Sequence, residues 1–288
     1  MERGLQSYAH RLSIRPMQPP LITDRAALAR NRARTSSELF LQMDALCEVQ
    51  DRLTEVNKSF TSPAVVTGFP QVWQALPRAV VVPDDDTLAL APGAHDLVVH
   101  GLSLHWANDP VGQLVQCRRA LAPDGLFLGL MFGGQTLHEL RSSLAQAEAE
   151  VTGGLSPRVL PMGEIRDLGA LLQRAGFALP VADTVPLTIT SRDIWHLMHD
   201  LRAMGEGNAL TARLRHPTRR AVMTRAAEIY AQTFPAADGR IKATFEMICL
   251  TGWAAHDSQQ KPLRPGSAVH RLAEALNTAE LPLRKTDG

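Results

Sequence analysis

The sequence predicts an α/β protein with a mostly parallel sheet whose two faces are covered by helices. Three short valine-rich runs, at 64–66, 79–82 and 96–99, lack the alternation of polar and apolar residues that a half-exposed strand shows. Such runs are typical of parallel strands buried on both faces. A helix, a turn and a further buried strand then follow within 111–131, which is the order of a repeating strand-helix unit.

The first half of the predicted sheet is unusually short. Residues 1–20 are expected to form a flexible extension, followed by a helical arm at 21–60 with a helix over 24–55, where apolar residues recur with a helical period. Between the first two strands only residues 71–76 remain for a helix, whereas a crossover including its helix takes roughly 10–12 residues or more. The sequence therefore predicts that one strand-helix unit is missing here.

The second half of the chain is more regular. A turn at 122–125 precedes the strand at 126–131, and extended segments at 177–190 are interrupted by Pro180 and Pro186. The predicted organisation is an α/β domain at 61–190, a helical lobe at 191–240, the last strand of the sheet at 241–255, and a tail at 256–288 with a short helix near 270–277.

Composition and charge exclude several classes of protein. The formal net charge is +1, from 30 basic and 29 acidic side chains, so no overall field draws the chain onto nucleic acid. The three cysteines form neither a CxxC pair nor a cysteine-histidine cluster, which argues against a metal site and a disulfide framework. The longest apolar run, at 126–132, is far shorter than the roughly 20 residues that span a bilayer. Residues 1–16 lack the apolar stretch of a secretory signal, so a transit-like leader and a plain extension both stay open.

The loop after the first strand has unusual chemistry for a nucleotide-binding fold. The sequence at 64–70 is AVVTGFP, with Gly68 as its single glycine and with Phe69 and Pro70 filling the turn. A Rossmann-type loop uses several glycines so that the backbone approaches the cofactor, and an acidic group holds the ribose. The sequence therefore predicts a degraded cofactor loop.

Several motifs carry a resemblance to a known family. The segments DLVVHGLSLHWAND at 96–109 and LAPDGLF at 121–127 resemble the fourth and fifth strand region of class I S-adenosylmethionine-dependent methyltransferases. The resemblance is to the branch that contains the malonyl-carrier-protein methyltransferase of biotin synthesis and the complex I assembly factor that hydroxylates an arginine, with the assembly-factor side fitting better. The motifs that support this side are NRAR at 31–34, FGGQTLHELR at 132–141, DLRAMGEGN at 200–208, GWAAHDSQ at 252–259 and PGSA at 265–268.

The resemblance covers roughly residues 20–270 and implies a Rossmann-like class I fold with a truncated N-terminal half. It also implies that Gly68 is what remains of the cofactor loop. The second strand of the family, whose acidic end holds the ribose, is expected to be deleted. Asp84 and Asp85 then resemble the later acidic motif near the adenine, with a solvated acidic turn as the alternative.

Three further residues are expected to line the same cofactor crevice, since they follow the strand at 96–99: Ser103, His105 and Trp106. Trp106 would stack on a ligand, plug the pocket or pack under the helical lobe. His105 would act as a general base or make a structural hydrogen bond. No residue is assigned as catalytic.

Two other groups are candidates for a substrate or partner surface. Arg202, Glu206 and Asn208 end a helix that the family places over the mouth of the active site, where they would grip a protein, although helix termination at nearby glycines also explains them. Trp253, His256 and Gln259 follow the last strand and would form a partner surface. Core packing is the alternative for Trp253.

Two functional hypotheses follow. The first is a methyltransferase-like pseudoenzyme that acts by binding protein, as an assembly factor or partner subunit linked to respiratory complex I. The alternative is an active S-adenosylmethionine-dependent methyltransferase or arginine hydroxylase that modifies a protein. Both imply a bacterial cytoplasmic or mitochondrial matrix location, no nucleic acid and, at most, peripheral attachment to a membrane complex.

Overall fold

The computed structural model describes residues 21–36 and 39–259. The chain divides into two units, 1–255 and 256–288, of which the first contains the whole sheet. The predictions for 1–20, for the helix near 270–277 and for the motif at 265–268 lie outside the described residues.

The described strands form one mixed sheet in the order β2-β1-β3-β4-β6-β5. The first four strands along the chain run parallel, and β6 is antiparallel to both β4 and β5. This arrangement confirms the predicted Rossmann-like α/β fold. The strands are β1 (Pro63–Thr67), β2 (Val80–Val82), β3 (His95–Gly101), β4 (Leu121–Phe132), β5 (Ala178–Ser191) and β6 (Ile241–Trp253).

Helices cover both faces of this sheet, and each face has its own apolar layer. The two helices of the lobe, α7 and α8, lie between β5 and β6 along the chain. The helices are α1 (Arg25–Arg32), α2 (Phe40–Glu55), α3 (Pro70–Trp73), α4 (Pro110–Ala120), α5 (His138–Thr152), α6 (Ile165–Arg174), α7 (Ile194–Ala203) and α8 (Arg220–Thr233).

The helical arm differs from the prediction. The single helix expected over 24–55 is wrong, because the chain forms two helices, α1 and α2. Just after α1, the Thr35 hydroxyl donates a 3.0 Å hydrogen bond to the Arg32 carbonyl, a local bond that competes with helix propagation. The next backbone N–H, of Ser36, donates to the carbonyl of Ala203 at 2.9 Å. This long-range bond ties the end of α1 to the lobe.

The shortened first half of the sheet has a single strand outside β1. In a doubly wound sheet of order 3-2-1-4, two strands lie on that side. Here β2 pairs directly with β1, with Val80 opposite Ala64 and Val82 opposite Val66. This half of the sheet therefore has one strand fewer than the doubly wound order, as predicted: β2 occupies the place beside β1, and the outer place has no strand among the described residues.

A buried tryptophan fills the space of the short crossover. Trp73, in the four-residue α3, is fully buried and donates its indole N–H to Gln42 Oε1 at 2.9 Å. Its ring lies against the backbone of Gly101, where an added Cβ would overlap it. The crossover thus stays compact because one large side chain packs between α2 and β3.

Two strands run through segments that were expected to interrupt them. The turn predicted at 122–125 lies inside β4 as an irregularity in its pairing with β3, and Asp124 has a φ of 59° there. The pairing of β5 with β6 shifts register between Ala178 and Val181, as predicted for Pro180, and runs without a break through Pro186. β5 is an edge strand, and an edge strand accommodates proline because one side needs no ladder hydrogen bond.

Candidate functional site

Two cavities open beside the carboxyl ends of the parallel strands. The first, which we call the arm crevice, has a volume of about 490 Å³ and lies between α1 and the ends of β1 and β2. The second, the lobe cavity, has a volume of about 410 Å³ and lies among β4, α5, α7 and α8. The carboxyl ends of strands in an open α/β sheet are the usual place for a ligand.

Arg32 occupies the arm crevice. Its guanidinium covers Gly68 so closely that a Cβ added there would overlap it, and its Cζ lies 5.2 Å from the centre of the Phe69 ring. Nη1 donates to Asp84 Oδ1 at 2.7 Å, and Nη2 donates to Oδ2 at 3.1 Å. This is a two-point pair with a planar cation stacked on an aromatic ring, the geometry for which arginine is suited.

Asp84 is held by a second arginine as well. Arg25 Nη1 lies 3.3 Å from Asp84 Oδ2, and Arg25 Nη2 donates to the Asp84 carbonyl at 2.7 Å. Burial alone would raise the pKa of the Asp84 carboxyl, but the charge and hydrogen bonds of Arg32, followed by those of Arg25, lower it to about 2. Asp84 is therefore ionised at neutral pH. The neighbouring Asp85 is exposed and lies 3.6 Å from Arg25.

The residues of the arm crevice do not fit S-adenosylmethionine in this arrangement. Such a cofactor needs a glycine face open to it and a carboxylate free to bind ribose hydroxyls. Here Arg32 covers Gly68, and both oxygens of Asp84 accept from arginine. The side chain that covers the glycine and pairs with the carboxylate is the chain's own Arg32.

The lobe cavity is mainly apolar. Three of the residues that line it are methionines, and Trp195, which is 48% exposed, lines it as well. Flexible thioether side chains adapt to irregular ligands. The apolar lining consists of Phe132, Leu137, Leu140, Leu144, Val159, Leu160, Met162, Met198, Leu201, Met223 and Phe245.

A carboxylate stands in the wall of this cavity. Glu206 Oε2 accepts from the Trp106 indole N–H at 2.8 Å and lies 3.3 Å from His105 Nε2. Burial would raise the pKa of the Glu206 carboxyl, but the hydrogen bonds from His105 and from the Trp106 N–H, with the charge of Arg32, hold it below its ordinary value. Glu206 is thus an ionised, buried acceptor.

His105 is fixed on both sides. Its Nδ1 lies 3.5 Å from the backbone N–H of Phe132, and its ring centre lies 5.0 Å from that of Phe132. Because Nδ1 faces a donor, the ring proton is assigned to Nε2, where it points to Glu206. The structure places His105 in a structural hydrogen bond, and its role as a general base stays a prediction.

The predicted cofactor residues do not form one site. Gly68, Asp84 and Asp85 line the arm crevice, whereas His105 and Trp106 line the lobe cavity. The expectation of a shared crevice is therefore wrong for the second pair, because a turn of 3-10 helix over Leu104–Trp106 directs both rings toward Glu206.

The remaining two predictions for this segment have different outcomes. Ser103 is fully buried, lines neither cavity, and its Oγ has no hydrogen-bond partner among the described residues. Trp106 packs with Leu28 of α1, Leu160 and Leu210. Trp106 also lines the lobe cavity, so its role toward a ligand stays a prediction.

The three residues predicted at the mouth of the site do converge. Arg202, Glu206 and Asn208 all line the lobe cavity. Asn208 also has a local role, since its Nδ2 donates to the Pro157 carbonyl at 3.0 Å and its Oδ1 accepts from the backbone of Leu210 at 3.0 Å. Their function in gripping a partner stays a prediction.

The third predicted group is not part of either cavity. Trp253 ends β6 and lies beneath Lys58, whose Nζ is 5.6 Å from the ring centre. His256 and Gln259 belong to the second unit, where the Gln259 backbone N–H donates to the His256 carbonyl at 3.2 Å. The proposal of a partner surface at these residues stays untested.

Sequence reasoning missed the importance of Asn31 and Arg32. Asn31 Nδ2 donates to the Gly207 carbonyl at 2.9 Å, so the motif at 31–34 binds the motif at 200–208. The presence of both motifs in the resemblance was the available signal. In the part of the chain that the structure describes, no group of acidic, histidine or cysteine side chains could hold a metal ion, and no helix there is long and apolar enough to cross a membrane.

Comparison with known proteins agrees with the resemblance. A family described as a methyltransferase domain matches residues 62–129. The chain is 42% identical over 201 residues to the mitochondrial arginine hydroxylase NDUFAF5 of Mus musculus, covering 69% of this chain and 58% of the relative. It is 34% identical over 191 residues to the malonyl-[acyl-carrier protein] O-methyltransferase of Laribacter hongkongensis, covering 66% of this chain and 62% of the relative. The chain therefore matches less than two thirds of the length of either relative. A putative methyltransferase of Bacillus halodurans, of known structure, is 14% identical with a TM-score of 0.44, covering 77% of this chain and all of that one.

The sheet order and the cavities beside the carboxyl strand ends define a Rossmann-like α/β protein of the methyltransferase type. The sequence comparisons fit the family that the motifs resemble: a methyltransferase domain matches residues 62–129, and the chain is similar to both arginine hydroxylases and carrier-protein methyltransferases.

Proposed function

We propose that this chain is a methyltransferase-like binding protein that acts as an assembly factor or partner subunit linked to respiratory complex I. The observation that carries the proposal is the position of Arg32, which covers Gly68 and pairs with both oxygens of Asp84. A crevice whose glycine is covered and whose carboxylate is paired by the chain's own arginine is a poor seat for S-adenosylmethionine. The link to complex I rests on the motifs of the sequence and on the similarity to a mitochondrial arginine hydroxylase.

The lobe cavity supports a binding role. It remains open, at about 410 Å³, which is within the range of roughly 300–1,000 Å³ typical of ligand sites. The proposed partner is a protein, in a bacterial cytoplasm or a mitochondrial matrix. An open cavity beside a crevice whose ligand-binding groups are engaged by the chain's own arginine is what we expect of a protein that has kept partner recognition without cofactor chemistry.

The second candidate function is an active enzyme that modifies a protein substrate by methylation or arginine hydroxylation. The specific observation in its favour is the ionised Glu206 beside His105 in the wall of the open cavity, together with the similarity to an arginine hydroxylase. This candidate requires Arg32 to leave the crevice before cofactor enters.

Calorimetric titration with S-adenosylmethionine and S-adenosylhomocysteine tests the proposal. We expect no binding by the wild-type chain at millimolar ligand, and the same result for Arg30→Ala, which removes an exposed arginine from the same helix. Thermal shift gives an independent readout, since a ligand that binds the native state raises its stability. Micromolar binding by the wild-type chain would overturn the proposal and favour the enzyme.

A further inference from the structure

Positive charge is concentrated in one stretch of the lobe. The whole chain has a formal net charge of +1, yet residues 207–227 contain five arginines and no acidic residue. This stretch comprises the loop before α8 and the first part of α8 itself. The surface of a soluble protein usually intersperses charges of both signs, so these arginines need their counter-charges from elsewhere.

Three of the five arginines find a counter-charge within the chain. Arg213 and Arg215 lie 3.0 and 3.2 Å from the same carboxylate oxygen, Oδ2 of Asp24. Arg225 lies 2.6 Å from Oε2 of Glu150. These three side chains therefore have a structural explanation in the contacts of the lobe with α1 and α5.

The other two, Arg219 and Arg220, form no ion pair among the described residues, and both are exposed. They also begin α8, because Arg219 is its N-cap, without a capping hydrogen bond from the side chain, and Arg220 is its first residue. A cation is unfavourable at this positive end of a helix dipole. The two arginines therefore do not stabilise the helix that carries them, and an anion from outside the chain explains their position better.

An exposed aromatic ring lies close to this unpaired charge. Thr218, which directly precedes Arg219, lines the lobe cavity together with Trp195 and Arg202. The Trp195 side chain is 48% exposed. Tryptophan and arginine are enriched where proteins bind one another, and tryptophan anchors such contacts. The composition of this surface is thus that of an interface and differs from that of a purely charged, solvated face.

We propose that Arg219, Arg220 and Trp195, which we call the basic rim, form a docking surface for an acidic segment of a partner protein. Each guanidinium pairs with a carboxylate through two hydrogen bonds, a geometry for which arginine is suited. Unpaired charge of one sign also steers an oppositely charged partner and raises its rate of association. The inference rests on the proposed function, because it gives the chemistry of the partner that the binding protein recognises.

The number of unpaired cations favours a protein over a lipid or a nucleic acid. Basic segments that attach to anionic membranes carry clusters of about four to eight lysines or arginines. Affinity for nucleic acid likewise grows with the number of phosphates that are neutralised. Two forked cations beside an aromatic ring fit a short segment with two carboxylates and an apolar side chain. Lipid and nucleic acid are therefore the competing outcomes of the test.

Binding of peptides to the full chain tests the basic rim. The probe is a short labelled peptide of glutamate and alanine with a single leucine, and its control has glutamine in place of every glutamate. We expect the acidic peptide to bind about tenfold or more tightly than the glutamine peptide. This preference should shrink as the salt concentration rises from about 50 to about 500 mM, because salt screens exposed charges. Fluorescence anisotropy measures both affinities.

Arg219→Gln/Arg220→Gln is the decisive variant. We expect its affinity for the acidic peptide to fall about tenfold, to that of the glutamine peptide, while its melting temperature stays the same or rises because the helix loses two unfavourable charges. Arg119→Gln/Arg174→Gln is the matched control. It removes two exposed arginines from α4 and α6, which pack on the opposite face of the sheet from α8, and it should keep the wild-type affinity.

Trp195→Ala tests the apolar part of the basic rim separately from its charge. We expect it to weaken the acidic peptide about threefold or more and to leave the salt dependence unchanged. Equal binding of the two peptides, no binding at millimolar peptide, or the same loss of affinity in both double variants would each overturn the inference.

Two competing ligands complete the test. Tighter binding of phosphatidylglycerol-containing vesicles, or of single-stranded DNA, than of the acidic peptide would also overturn the inference. Binding of S-adenosylmethionine by the wild-type chain would instead overturn the proposed function and leave the peptide result standing. The two failures are therefore distinguishable.

Discussion

Arg32 and Asp84 form a two-point ion pair in the wall of the arm crevice, with Nη1–Oδ1 and Nη2–Oδ2 distances of 2.7 and 3.1 Å. The two side chains are 11% and 4% exposed. The pair joins α1 to the end of β2 across 52 positions of the chain. The attraction within a buried ion pair offsets the cost of desolvation only when both partners are present. This contact therefore holds α1 against the sheet.

Removal of the arginine is therefore expected to destabilise the protein. Arg32→Ala leaves the Asp84 carboxylate buried with only Arg25 to balance it, and we expect a loss of about 2–4 kcal/mol in the free energy of unfolding. Arg32→Lys keeps the charge and loses the fork of donors, so its loss is about 1–2 kcal/mol. Urea unfolding measures both. Arg30→Ala serves as the control, since Arg30 is exposed on the same helix, and equal stability of Arg32→Ala and Arg30→Ala would contradict the role of the pair.

Restoration of glycines to the cofactor loop is not expected to create a cofactor site. The double variant Phe69→Gly/Pro70→Gly gives the loop the missing residues, but Asp84 remains engaged and the sheet still lacks an outer strand beyond β2. Phe69 is also fully buried beneath Arg32, so the change opens a cavity and costs about 3–5 kcal/mol.

Titration with S-adenosylmethionine and a thermal melt check both parts of this expectation. Pro70→Gly alone is the milder comparison, because Phe69 then stays in place. Tight cofactor binding by the double variant would show that the loop, and not the shortened half of the sheet, is the defect.

The fold was largely predictable because its determinants are local. The valine runs of β1, β2 and β3 lack polar alternation, and this pattern alone indicates parallel strands buried on both faces. Gly176 follows α6 with a φ of 83°, the left-handed conformation that a glycine after a helix commonly supplies. These features need no knowledge of distant partners.

The features that were missed depend on distant partners. The break between α1 and α2 is associated with the bond from Ser36 to the Ala203 carbonyl, which no local period reveals. Arg32 belongs to a basic cluster whose members look equivalent in sequence, and only the fold brings it rather than Arg30 or Arg34 to Asp84. The division of the predicted site into two cavities has the same origin, since Glu206 draws His105 and Trp106 toward the lobe.

The packing of the shortened crossover gives a prediction about glycine. Gly101→Ala adds a Cβ that overlaps the buried Trp73 ring, and we expect a loss of about 1–3 kcal/mol from overpacking. Gly154→Ala is the matched control, because nothing lies within 4 Å of a Cβ there, and its effect is expected within about 0.5 kcal/mol. Thermal unfolding of both variants measures the difference. A neutral Gly101→Ala would mean that Trp73 yields easily and does not hold the crossover.

Acid should weaken the arm through Asp84. The pKa of this carboxyl falls from 3.8 to about 2 on folding, with burial opposing and Arg32 and Arg25 favouring the change. The contribution of Asp84 to the free energy of unfolding is therefore fully present above pH 3.8 and is lost as the pH falls through about 2. A depression of this size corresponds to about 2 kcal/mol.

Asp84→Asn removes the titrating group, so its free energy of unfolding is lower at pH 7 and falls less steeply in acid than that of the wild type. Urea unfolding across this pH range measures how steeply the free energy of unfolding falls in acid. Asp51→Asn, at an exposed aspartate of α2, is the control and is expected to keep the wild-type slope. If Asp84→Asn retained the full acid slope, other carboxylates would have to carry it.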